Sequence, residues 1–121
     1  MTLLGVAIAG ALGAPARYLV ELAISARTGR RFPWGTFVVN VTGSFTLGFI
    51  TGLALYHGLA TAPKAVVGTG FVGAYTTYST YAYESVDVAA RRSTRLASAY
   101  AIGSVVAGVA AATLGLIIAA V

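Results

Sequence analysis

The sequence predicts an all-α membrane protein of four transmembrane helices, and three observations carry that reading. Of its 121 residues, 58% are hydrophobic and only 9% charged, whereas roughly a quarter of residues are charged in ordinary globular chains. The apolar residues gather into four runs, at about 2–25, 34–56, 64–88 and 96–120, each near the ~20 residues that a bilayer core demands. The charges fall mostly in the short connections, and the four runs use the whole length as one membrane domain, 1–121.

The first run opens MTLLGVAIAG without the basic leader of a secretory signal and continues past a signal's usual length, so it reads as a retained span. It contains Pro15, Arg17 and Glu21, and the last two are four apart and share a helix face. An ionisable residue in a span costs about 2.5–3.5 kcal/mol to insert and marks a functional position. Both residues also lie in the last third of the span, where a long side chain reaches the interface. The two readings weigh equally, with a vestibule or helix-packing role between them.

After ARTGRRFP, Pro33 and Trp34 open the second run with a breaker and an interfacial aromatic. Thr36, Asn40, Ser44 and Gly48 then recur every four residues along one face, and a polar stripe in lipid must face protein or water. Ser44, Gly48 and Gly52 fit close helix packing as well. Asn40 brings two amide donors that packing alone does not require.

The third run begins after Pro63. Its centre reads GTGFVGAYTTYSTYAYE, with glycines at 68, 70 and 73 followed by hydroxyls and tyrosines. That composition predicts a helix broken near the bilayer midplane, because glycine lowers the cost of leaving helical geometry and such a break survives only inside protein or along a cavity. The fourth run carries a second polar line, Tyr100, Ser104 and Gly108, also stepping by four.

Whole classes of chemistry are excluded. Cysteine is absent, and the single His57 lies in a connection with no His or Cys partner. The only carboxylates are Glu21, Glu84 and Asp87, and no His or Cys accompanies them in a span, so the chain is not expected to be an enzyme.

A broken helix presents carbonyl oxygens at one end and N–H groups at the other, and can hold a bare ion at the break. Gly73 and Thr76 flank the expected break, and a cation there would have to use backbone oxygen. Tyr78 and Tyr81, three apart, lie on one side of the following half-helix. Facing Asn40 and Ser44, their positive ring edges would offer weak neutral contacts to an anion. On pattern alone, packing is the stronger reading of that aromatic pair.

The residues themselves tip the balance. GAPARY at Gly13–Tyr18, GTFVVNVTGSFTLGF at Gly35–Phe49 and GFVGAYTTYSTYAYE at Gly70–Glu84 resemble, in order and over essentially the full chain, the Fluc-type (CrcB) fluoride channels. The resemblance implies a fluoride-specific channel that exports cytoplasmic fluoride and so reduces its toxicity. It also implies an antiparallel, dual-topology dimer with two pores built from both chains and a structural sodium ion at its centre. By that resemblance the backbone carbonyls of Gly73 and Thr76 are the sodium ligands. Asn40, Ser44, Tyr78, Ser79, Thr80, Tyr81, Tyr100 and Ser104 border the fluoride path, and Arg17 and Glu84 serve a vestibule or helix packing. Two departures stand out: the family's TTFSTF reads TTYSTY here, and Gly108 and Ala74 replace a track hydroxyl and the second glycine of a pair.

Loop charge sets the expected orientation. The first and third connections hold Arg27, Arg30, Arg31, Arg91, Arg92 and Arg95, while the other side has Lys64 and the N-terminal amine. The positive-inside rule places loops 26–33 and 89–95 in the cytoplasm of a cell-membrane protein and both termini outside. An antiparallel homodimer would oppose that bias in half its copies. A homologous subunit inserted the other way is therefore the favoured partner, with the homodimer as the alternative. The rival function is a small proton-coupled multidrug or guanidinium exporter, for which Glu21 is the only first-span carboxylate.

Overall fold

The computed structural model describes all 121 residues, Met1–Val121. It consists of helices only: α1 (Thr2–Thr28), α2 (Trp34–Tyr56), α3 (Thr61–Lys64), a π-helical segment (Ala65–Val72), α4 (Gly73–Tyr75), α5 (Ser79–Arg91) and α6 (Thr94–Ala120). Three of these, α1, α2 and α6, are long and apolar enough to cross a membrane, with mean hydropathies of 1.6, 1.6 and 2.2 over their best windows. At 1.5 Å per residue, the 13 residues of α5 reach only about 20 Å, short of a core about 30 Å thick. α5 alone is therefore shorter than α1, α2 and α6 by about three to four turns.

Helix ends lie further out than hydropathy placed them. α1 continues to Thr28 and α5 to Arg91, so Arg27 and Arg91 sit in last turns rather than in loops. The charge that ends an apolar run does not end a helix, because a cation at a helix C-terminus is favourable. The chain turns after α1 at Gly29, whose φ of 73° suits glycine. Ser93 caps α6, its Oγ accepting from Leu96 N–H at 3.1 Å.

The closest helix pair is α2 with α6. A Cβ on Gly48 would overlap Ala112 O, and one on Gly115 would overlap Phe45 O. Only glycine lets these two backbones meet, the small-residue packing expected where lipid supplies no hydrophobic drive. His57 ties the far end of this pair, with Nε2 2.8 Å from Ala119 O, and so satisfies a carbonyl of the last turn of α6.

α1 lies against the π-helical segment in the same manner, a Cβ on Gly70 falling 2.8 Å from Val6 O. The glycines of the third run therefore serve packing and wider turns. Gly73 N–H still reaches back to Gly68 O, five residues away, and the backbone leaves helical geometry only beyond, at Thr76, with φ −82° and ψ 160°.

Candidate functional site

Thr76, Thr77 and Tyr78 belong to no helix, so their peptide groups need partners that a helix would otherwise supply. Asn40, on the polar face of α2, provides two. Its Nδ2 donates to Thr77 O at 2.8 Å, and Thr77 N–H donates to its Oδ1 at 2.8 Å. One carboxamide thus completes both polar groups of a single residue, as a neighbouring β-strand would. Nδ2 keeps one hydrogen free.

The Thr77 side chain is 8% exposed and its Oγ1 accepts from Thr80 N–H at 3.2 Å and lies 3.0 Å from Thr80 Oγ1. That caps the first turn of α5. Ser79 Oγ stands 3.4 Å from the same oxygen. On the other side, Thr76 Oγ1 donates to Val72 O at 3.0 Å. Gly43 of α2 leaves room for Thr76, since any Cβ there would overlap Thr76 Cγ2.

These residues border an open groove of about 320 Å³, lined by Asn40, Ser44, Thr76, Tyr78, Tyr81 and Ser104 among others. No lysine or arginine lines it. Ser104 Oγ is buried without a hydrogen-bond partner, and Ser44 Oγ looks across toward Gly108 of α6, 3.5 Å from where a Cβ would stand. The groove therefore combines neutral donors with two aromatic rings. Tyr78 and Tyr81 have ring centroids 5.9 Å apart, and Tyr78 is 80% exposed. The two phenol hydroxyls differ: Tyr81 donates to Ala101 O on α6 at 2.9 Å, while that of Tyr78 meets nothing in the chain.

Tyr100 packs behind the groove against Tyr81, ring centroids 5.6 Å apart, without lining it. It is fully buried, donates to Glu84 Oε2 at 2.9 Å, and packs edge-on to Phe32 with centroids 5.4 Å apart. Glu84 is thus joined to α6 through Tyr100. Glu21 abuts Gly35 at the start of α2, where a Cβ would lie 3.1 Å from Glu21 Cα, and its Oε1 is buried without a partner.

Thr77 and Tyr75 stand in the hydroxyl- and tyrosine-rich stretch without a role assigned from pattern, and Gly43 goes unremarked; the Tyr75 phenol oxygen lies 3.0 Å from Thr42 Oγ1. A residue beside a predicted break and before a helix start is the usual place for a cap, and that signal would have found Thr77.

The chain holds no cluster of three His, Cys, Asp or Glu side chains suited to a metal. Gly73 O accepts no hydrogen bond from the chain, and Gly73 is exposed. Thr76 O accepts one, from Arg17 Nη1 at 3.3 Å, and keeps a second lone pair. Both are neutral backbone acceptors.

Comparison with known proteins places these features in context. A family model described as "CrcB-like protein, Camphor Resistance (CrcB)" matches residues 4–116. The chain is 47% identical over 116 residues to "Fluoride-specific ion channel FluC 1" of Leifsonia xyli subsp. xyli, covering 96% of this chain and 85% of that one. It is 44% identical over 119 residues to "Fluoride-specific ion channel FluC" of Acidobacterium capsulatum, covering 98% and 95%. A "Fluoride-specific ion channel FluC 1" of Symbiobacterium thermophilum is 47% identical over 113 residues, covering 92% and 91%.

Proposed function

The chain belongs to the CrcB family, and on that footing we propose that it is a subunit of a fluoride-specific ion channel that lets cytoplasmic fluoride leave the cell and so limits its toxicity. The observation that carries this reading is the neutral groove held open by the Asn40–Thr77 pair. A fixed cation there would bind a small anion too firmly to release it, whereas conduction needs sites an ion can leave. The free hydrogen of Asn40 Nδ2, the hydroxyls of Ser44 and Ser104, and the ring edges of Tyr78 and Tyr81 replace part of the ion's water shell without trapping it.

Thr61 to Arg91 forms the fourth crossing, with the non-helical residues Thr76–Tyr78 near the midplane. In a pair of oppositely oriented subunits, the Gly73 and Thr76 carbonyls would hold a structural sodium ion, whose charge would offset the repulsion between converging carbonyl oxygens. Gly73 O, free of any donor in the chain, supports that role.

The arginine-rich ends of α1 and α5 and the starts of α2 and α6 face the cytoplasm, and the partner is a homologous subunit inserted the other way. Family membership removes the reason to invoke a proton-coupled exporter. Fluoride efflux from loaded liposomes, read with a fluoride electrode, tests the function directly.

A further inference from the structure

We propose that the chain carries, at its arginine-rich end, a binding site for the phosphate group of an anionic phospholipid. Two connections distant in sequence converge there on a cavity of about 360 Å³, more enclosed than the groove and lined by Arg30, Arg31, Asp87, Val88, Arg91 and Arg92. Four guanidinium groups against one carboxylate leave a strong excess of positive charge. The carboxylate is already engaged, since Asp87 Oδ1 pairs with Arg91 Nε. Arg30, Arg31 and Arg92 have no acidic partner within 4 Å, for that pair is the sole salt bridge of the chain.

A guanidinium presents a planar fork of donors that matches phosphate oxygens two at a time. A second cavity of about 300 Å³ shares Arg31 and adds Arg95 and Ser93, at the N-terminal end of α6, where the helix dipole favours an anion. The two cavities make one cationic seat around Arg31.

Depth identifies the source of the phosphate. Trp34, 43% exposed, follows the arginine pair by three residues and packs with Phe32, centroids 4.6 Å apart, and with Phe37 at 5.6 Å. Such a cluster opening an apolar helix marks the headgroup level of the bilayer. The seat lies beside it, at the height of lipid phosphates rather than out in solution. Arg27, on the same end, contributes to neither cavity and serves as an internal control of equal charge.

The test uses the full chain in a non-ionic detergent, with bound lipid counted by native mass spectrometry and thermal unfolding followed in parallel. Phosphatidylglycerol should be retained and should raise the unfolding temperature, and phosphatidylcholine should do neither. Arg31→Gln with Arg92→Gln should weaken that retention about tenfold, Arg27→Gln should leave it unchanged, and Asp87→Asn should strengthen it. Equal losses in Arg27→Gln and in the double variant would mean diffuse attraction and overturn the proposal. Inorganic phosphate stabilising the wild type as well as the lipid does would assign the seat to a soluble ion and overturn the lipid source. If the double variant does not fold, Asp87→Asn decides alone, and an unchanged retention there overturns the site. None of these readouts depends on fluoride flux.

Discussion

The Asn40 carboxamide and the Thr77 peptide group are joined by two hydrogen bonds of 2.8 Å, one in each direction. Asn40, which lines the groove, thereby holds the non-helical residues in place and keeps one amide hydrogen without a partner in the chain. Asn40→Asp keeps the acceptor but sets a carboxylate against Thr77 O, and Asn40→Ala leaves both peptide groups unpaired. Each orphaned group costs about 1–3 kcal/mol. Thermal unfolding should show Asn40→Ala to be destabilised by about 2–6 kcal/mol, the sum for the two groups, and fluoride efflux should be lost in both variants.

Gly43 and Thr76 make a steric prediction. A methyl group at position 43 overlaps Thr76 Cγ2, so Gly43→Ala should cost about 1–3 kcal/mol by overpacking and lower flux. Thr76→Ser removes that methyl while keeping the hydroxyl that donates to Val72 O. The double variant should regain most of the loss in a thermal-unfolding cycle, and no recovery would mean that the contact is not what Gly43 accommodates.

The two tyrosines should respond differently. Tyr81→Phe gives up the bond to Ala101 O and should cost about 1 kcal/mol of stability with the ring and the flux retained. Tyr78→Phe removes a hydroxyl without a partner and should leave stability within about 0.5 kcal/mol of the wild type. Tyr81→Ile removes the ring edge and should abolish efflux. Equal unfolding temperatures for the two phenylalanine variants would contradict the assigned anchor.

The sodium reading makes its own prediction. Exchanging sodium for a large organic cation during purification and assay should lower both thermal stability and fluoride efflux, and restoring sodium should recover them. Unchanged behaviour in its absence would remove Gly73 O and Thr76 O from a cation site.

Most of the helical layout was legible, because length and hydropathy alone decide which segments suit a bilayer. α1, α2 and α6 begin and end within a few residues of the expected spans, and the misjudged ends, Thr28 and Arg91, are those where arginine was read as loop. The glycines of the third run were legible as special but not for their part in packing. Gly70 is needed because Val6 O approaches it, a fact about a partner across space that no local pattern contains. The same limit hid the Asn40–Thr77 pair. Spacing placed Asn40 on a polar face and Thr77 near a break, yet neither position names the other. Tyr100 shows the same limit: its register placed it on a polar line with Ser104, and nothing local names Glu84, to which its hydroxyl donates.

The most direct test of the central claim is fluoride and chloride efflux, measured side by side from liposomes holding this chain alone or together with a homologous subunit of inverted loop charge. Rapid fluoride efflux with no measurable chloride efflux is expected in at least one of the two preparations, abolished there by Asn40→Asp. Absence of fluoride efflux from both, or chloride leaving as fast as fluoride, would contradict it.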